Sequence, residues 1–233
     1  FNTNHVKNVF IFHDLCQKWY HFYALKAMYS QFIIQVKYLA VVIYFRMGMK
    51  ISGRRWIMIY LTGDTHNDFS KLSNKSLKKY DLKLTEDDYI IVTGDFGLCW
   101  AHDKTFDWNC KWFAERSFTT LWVQGNHENY DIIAEYPLEE WHGGLVRHIV
   151  RDKVILLERG QIFKIDGQTF FTFGGAASHD IPGGALDRND PEFEIKLKER
   201  RRDWIPYRII GESWWTQELP TEQEMKTGLD NLA

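Results

Sequence analysis

The chain has 233 residues, 45% of them hydrophobic and 26% charged, with a formal net charge of −2. This length fits one large domain or two small ones, and the composition is that of a soluble globular protein rather than a disordered or fibrous one. The near-neutral balance gives no electrostatic footprint for bulk nucleic-acid binding, and Cys16, Cys99 and Cys110, outside any C-x-x-C pair, argue against a disulfide framework or a zinc knuckle. Such cysteine usage fits a reducing compartment, so a cytoplasmic location is expected. Ten tryptophans are many, and most should serve as core or pocket wall.

Residues 1–48 differ in character from the rest of the chain, being aromatic-rich, with no proline and no glycine before Gly48. Their most apolar part, Phe32 to Phe45, is interrupted by Lys37 and is shorter than the roughly 20 residues of a membrane span. A membrane role is therefore not favoured. Met47 and Met49 stand just before the first domain strand, so the domain is expected over 49–233. Residues 1–48 then form an N-terminal extension, either an accessory segment or an upstream reading-frame artefact.

Along the remaining chain, Trp56–Thr62, Tyr89–Thr93 and Thr120–Gln124 are short apolar runs that predict buried strands. Charged stretches of helical character, Ser70 to Lys79 and Lys104 to Ser117, separate them. A strand, a crossover helix and a second parallel strand take roughly 30 residues. The crossovers are right-handed, which puts the three strands side by side with their carboxyl ends on one edge. Val154–Leu157 predicts a further strand, and Ile162–Ile165 and Thr169–Phe173 predict a hairpin turned by Asp166-Gly167. These imply a mixed sheet, or a second sheet packed on the first. Residues 179–213, with Gly183-Gly184, Asp190-Pro191 and a charge run, look like an excursion capping the crevice. Thr221 to Leu232 starts as a helix, Thr221 capping and Glu224 three residues on as in a capping box.

Each of the first three strands runs straight into a short polar segment: GDTHN at 63–67, GDFG at 94–97 and GNHE at 125–128. Gly63, Gly94 and Gly125 are 31 residues apart, and glycine at a strand end permits a sharp turn and close backbone approach. Ligands of open α/β sheets bind at that strand edge. The pattern thus gathers Asp64, His66, Asp95, Asn126 and His127 into one crevice. Oxygen and imidazole donors of this kind suit a pair of divalent cations, and the expected chemistry is metal-assisted hydrolysis of a phosphoester. Asp95-Phe96-Gly97 also mimics a kinase metal motif, but no Gly-rich phosphate loop or His-Arg-Asp loop accompanies it. Gly174–Ser178 is glycine-rich without the Gly-Lys-Ser/Thr of a phosphate loop. His102, His142 and His148 are expected at the surface or in local hydrogen bonds. His179, beside Asp180, is a weaker candidate for a substrate-side role.

Taken together, Asp-x-His, Gly-Asp-x-Gly and Gly-Asn-His-Glu resemble the calcineurin-like metallophosphoesterase superfamily. The resemblance runs from about Tyr60 onward and includes Gly-Gly-Ala-x-Ser at 174–178, Ser213-Trp214-Trp215 and Glu218-Leu219-Pro220. It implies a four-layer α/β/β/α sandwich with mixed sheets and two divalent metal ions, with Mn, Fe or Zn all acceptable to such ligands. By motif position, Asp64 and His66 would hold the first metal, Asp95 would bridge both, and Asn126 would hold the second. His127 would face the scissile phosphate, and Glu128 would hold its imidazole in place. Catalytic roles are thus expected for His127, Asp95 and Glu128.

One departure stands out. The family completes its site with a later His and a Gly-His-x-His motif, and no His follows His179 here. The sequence therefore reads as a C-terminally truncated copy, with the second metal short of imidazole ligands and a sheet edge left open. The rival reading is an impaired or non-catalytic metal-binding module of the same fold. After Gly94-Asp95 no Asp-Arg-Gly follows, which disfavours a Ser/Thr protein phosphatase. A phosphomonoester or phosphodiester is the expected substrate. Nucleic acid is not favoured, the run Lys196 to Arg202 being most simply a solvated helix face.

Overall fold

Apolar runs buried on both faces dictate the centre of the molecule. The computed structural model describes residues 57–233 and, before them, the backbones of three short strands. These are β1 (Asn8–Phe12), β2 (Ile33–Gln35) and β3 (Ile43–Phe45). After them come β4 (Ile59–Thr62), α1 (Asn74–Lys79), β5 (Tyr89–Thr93), α2 (Lys104–Ala114) and β6 (Thr119–Val123). Next are α3 (Tyr130–Ala134), β7 (Glu139–Trp141), β8 (Gly144–Val150), β9 (Val154–Leu157), β10 (Gln161–Ile165) and β11 (Gln168–Phe173). The chain continues through β12 (Ala185–Leu186), α4 (Phe193–Arg202), β13 (Arg208–Ile209) and α5 (Glu222–Leu232).

The larger sheet has the order β3-β4-β5-β6-β9-β8-β7. Strands β4, β5, β6 and β9 are mutually parallel, and β3, β8 and β7 pair antiparallel at its flanks. The smaller sheet has the order β10-β11-β1-β2. In it β1 runs parallel beside β11, from Asn8 opposite Thr169 to Phe12 opposite Phe173. The expected boundary at 48/49 and most of the apolar stretch 32–45 lie outside the described residues. No helix among the described residues is long and apolar enough to cross a membrane.

Four layers arise from where the apolar side chains go. One face of the large sheet meets α1, α2 and α3 through Tyr60, Leu77, Ile90, Val92, Phe113, Trp122, Ile132 and Ile133. Its other face supplies Ile59, Leu61, Ile91, Leu121, Val123 and Ile155, which pack on Phe163, Ile165 and Phe170 of the small sheet. Phe171 and Phe173 turn the opposite way, onto Met225 and Leu232 of α5. The result is the expected α/β/β/α arrangement with a mixed central sheet.

Local chemistry sets the element ends. Asp103 caps α2 by accepting from Phe106 N at 2.9 Å, and Thr221 and Glu224 form the reciprocal box at α5. The predicted helix 70–79 is broken in two. Ser73 is extended and its hydroxyl accepts from Ser76 N, so 70–72 is a 3₁₀ turn and α1 begins afresh at Asn74. Asp166 and Gly167 both have positive φ, 49° and 73°, which is the type I′ turn that the Asp-Gly pair favours. Strands β7 and β8 are not legible in the sequence: they flank the His142-Gly143 turn, and a bulge between His148 and Val150 breaks the alternation.

Arg159, 4% exposed, joins layers that the sequence keeps far apart. Its guanidinium donates to Tyr130 Oη at 2.8 Å and to Gln217 O at 2.7 Å, and lies over the Tyr130 ring. We expect Arg159→Leu to lower stability by about 1–3 kcal/mol, because these buried acceptors lose their donor. A thermal melt checks this, with Arg159→Lys expected to recover little because an ammonium cannot reproduce the planar fork.

Candidate metal centre

Three loops meet at the carboxyl ends of β4, β5 and β6, and the backbone ties them together. Asp64 N, His66 N and Asn67 N donate to Gly94 O, Asp95 O and Phe96 O at 3.2, 2.9 and 3.0 Å. These bonds continue the β4–β5 pairing past the strand ends, but the residues leave the extended conformation. Asp64, His66, Asn67 and Asp95 all have positive φ, from 43° to 63°, an uncommon state for residues with a Cβ. Backbone held this way costs free energy and persists where the surroundings over-determine it.

The third loop presses on the second. His127 N donates to Asp95 Oδ1 at 2.9 Å. A Cβ at Gly125 would stand 2.0 Å from that same oxygen and 2.4 Å from Asp95 N, so only glycine lets these backbones approach. Tyr130 Oη donates to Gly125 O at 2.6 Å and fixes the turn from beneath.

The structure brings Asp64, His66 and Asp95 together, each offering a ligand atom, all within 4.8 Å of one another. His66 Nε2 is 4.0 Å from Asp64 Oδ1 and 3.7 Å from Asp95 Oδ2. Asp95 is buried, whereas the Asp64 and His66 side chains are 39% and 50% exposed, so the group opens to solvent on one side. Two carboxylates and an imidazole in this arrangement fit a divalent cation. Asn126 and His127 are half-buried, and the His127 ring stands edge-on to the His66 ring at 5.0 Å. Burial holds the His127 imidazole below its ordinary pKa; Asp95 opposes this, and Arg208 and His66 reinforce it.

The expectation that Glu128 orients His127 is corrected by the geometry. Glu128 is 1% exposed, and its two carboxylate oxygens accept from Phe96 N at 2.9 Å and Gly97 N at 3.3 Å. It therefore clamps the second loop to the third. Burial, then the charge of Asp95, push its carboxyl up to about 8, against the pull of the backbone N–H groups. The spacing in Gly-Asn-His-Glu could not show this, because the partners are amides 31 and 32 residues away.

Of the remaining histidines, His102 meets Glu135 at 2.8 Å, His142 Nδ1 meets Lys164 O at 2.9 Å, and His148 Nδ1 accepts from Asp152 N at 3.3 Å. His179 is exposed at the start of the excursion and is not part of the Asp64, His66 and Asp95 group. Trp215 is buried and donates to Asp131 Oδ2 at 2.7 Å, edge-on to Trp100. Arg208 escaped the sequence reading. It pairs with Asp180 at 3.2 Å and is near enough to His127 to lower its pKa. It reaches that position because β12 and β13 pair and fold the excursion back over the crevice; no local pattern announces it.

The sequence profile of one family, described as calcineurin-like phosphoesterase, matches residues 57–225. The chain belongs to the calcineurin-like phosphoesterase family. No curated protein and no solved structure matches it. The matched span of this calcineurin-like phosphoesterase begins just before β4 and ends within α5, so it contains all three crevice loops and the excursion. Membership associates the Asp64, His66 and Asp95 group with metal-dependent phosphoester hydrolysis.

Gly125→Ala tests the close approach. The added methyl is expected to force Asp95 away, cost at least about 1–3 kcal/mol by overpacking, and remove measurable Mn²⁺ binding. Calorimetric titration with Mn²⁺ and a thermal melt provide the check.

Proposed function

We propose that the protein hydrolyses a phosphomonoester or phosphodiester with the help of two divalent cations. The observation that carries this reading is the convergence of Asp64, His66 and Asp95 within 4.8 Å in a chain of this family. In it, Asp64 and His66 would hold one cation, Asp95 would be shared with a second, and the Asn126 amide would help hold that second one. When bound, such cations would supply positive charge for phosphoryl oxygens and make a water nucleophilic near neutral pH.

The chain's own side chains do the rest. His127, half-buried beside the ligand group, would hand a proton to the leaving oxygen or donate a hydrogen bond to the phosphoryl group. Arg208 adds fixed positive charge on the excursion side, which complements an anionic substrate. A small phosphoester suits the site better than nucleic acid, because three of the basic side chains of the excursion are engaged in ion pairs. Lys196 pairs with Asp190 at 2.6 Å, Arg202 with Asp203 at 2.7 Å, and Arg188 with Glu212. A reducing, cytoplasmic setting is part of this reading, supported by free Cys99 and Cys110, whose thiols burial pushes up, that of Cys110 to about 11.

A second reading, a module that holds one cation without turnover, rests on a specific observation. Among the described residues, Asp64, His66 and Asp95 form the one cluster of three or more His, Cys, Asp or Glu side chains fit to hold a metal. The Mn²⁺ stoichiometry and the turnover of p-nitrophenyl phosphate and its bis-ester separate the two readings.

Two substitutions test the roles. Asp95→Asn is expected to abolish Mn²⁺-dependent hydrolysis, since a neutral amide cannot bridge two cations with comparable charge; near-wild-type turnover at saturating Mn²⁺ would refute the bridge. His127→Ala is expected to lower turnover by roughly 10²–10⁴-fold while leaving metal occupancy unchanged. Elemental analysis of that variant decides whether His127 acts as a proton donor or as a ligand.

A further inference from the structure

An amide side chain is a metal ligand only if its oxygen, and not its nitrogen, faces the ion. Nothing in the shape of Asn126 decides this, because the two ends are nearly isosteric. Its surroundings decide it. Asn126 Nδ2 donates to Ser178 Oγ at 3.2 Å. Ser178 Oγ donates to Glu218 Oε2 at 2.7 Å, and Ser178 N donates to Glu218 Oε1 at 2.8 Å. Glu218 is 3% exposed and lies at the end of a 3₁₀ turn (Thr216–Glu218). The turn is anchored through Gln217 O by the buried Arg159 guanidinium.

The protons along this chain of hydrogen bonds run one way. A carboxylate accepts only, so the single hydroxyl proton of Ser178 goes to Glu218. The serine oxygen then has only lone pairs to offer Asn126. The end of the amide facing Ser178 must be its NH₂, which leaves the carbonyl oxygen aimed away from Ser178. The reverse rotamer would set the amide oxygen against the lone pairs of Ser178.

We propose that Glu218 and Ser178 are positioning residues that fix the Asn126 amide with its oxygen toward the metal crevice. Resting on the two-cation reading, the inference gives the buried Glu218 carboxylate a role in the centre. Outer partners of this kind set the orientation of a ligand, and their loss typically costs 10–100-fold in metal affinity.

The test titrates the full chain with Mn²⁺ alone and follows the Asn126 side-chain NH₂ protons by NMR in the metal-free protein. In the wild type those protons are expected to be resolved and protected from exchange, as they are in Ser178→Thr, which keeps the hydroxyl. Ser178→Ala is expected to lose the protection and to weaken the second Mn²⁺ about 10–100-fold, with the first Mn²⁺ unchanged. Glu218→Gln is expected to do the same although it is isosteric, because an amide can donate to Ser178 and reverse the chain; a packing role would leave it silent. With Asn126→Asp, whose two oxygens make the flip irrelevant, adding Ser178→Ala should cause little further loss. Unprotected NH₂ protons in the wild type, or equal weakening of both ions in Ser178→Ala, would overturn the proposal. One Mn²⁺ per wild-type chain with the protection intact would overturn the two-cation reading and leave the relay standing.

Discussion

The contact between the Gly125 backbone and the Asp95 carboxylate governs the rest of the centre. Asp95 is a buried acid that must sit between two loops from different strands, and one of its oxygens accepts from His127 N. The other points toward His66, which the first loop supplies. Any side chain at position 125 would wedge these loops apart. The strand spacing of the parallel sheet, about 4.8 Å, brings the loops near each other, and the missing Cβ closes the remaining distance.

Around that contact the molecule keeps strained backbone to hold donors in place. Four non-glycine residues at the ends of β4 and β5 have left-handed backbone, and the first loop's N–H groups at 64, 66 and 67 are paired with the neighbouring loop. Glu128 adds a buried carboxyl group whose oxygens accept two amides of the second loop. The left-handed backbone and the buried carboxyl each cost stability taken alone, and the hydrogen bonds between the loops offset that cost and hold the oxygen and imidazole donors in place. That is the arrangement a cation would stabilise, since binding to the folded state alone adds to its stability.

Distant parts of the chain finish the crevice. The excursion after β11 returns through the short β12 and β13 pair and brings Arg208 toward His127. The segment leading into α5 delivers Glu218 beneath Ser178, and Arg159 locks that segment to Tyr130 under the third loop. The centre is thus supported from the large sheet on one side and from the C-terminal layer on the other.

The sequence by itself determined the parallel core, the three loops at one sheet edge and the hairpin, because each rests on short-range chemistry. Apolar β-branched runs make buried strands, a roughly 30-residue period makes crossovers, and Asp-Gly makes a type I′ turn. The spacing of the residues at 64, 66, 95, 126 and 127 carries their convergence, and the donor types at 64, 66 and 95 are those that suit a cation. The direction in which a side chain points could not be read this way. Glu128 next to His127 looked like its partner, yet it faces amides of another loop, and Ser178, Arg208 and Glu218 come near the crevice only through contacts 40 or more residues away. Those contacts depend on how layers stack and on where a loop of irregular backbone returns. Only the tertiary structure decides both, because the burial and hydrogen bonding that select them exist only after the sheets have packed.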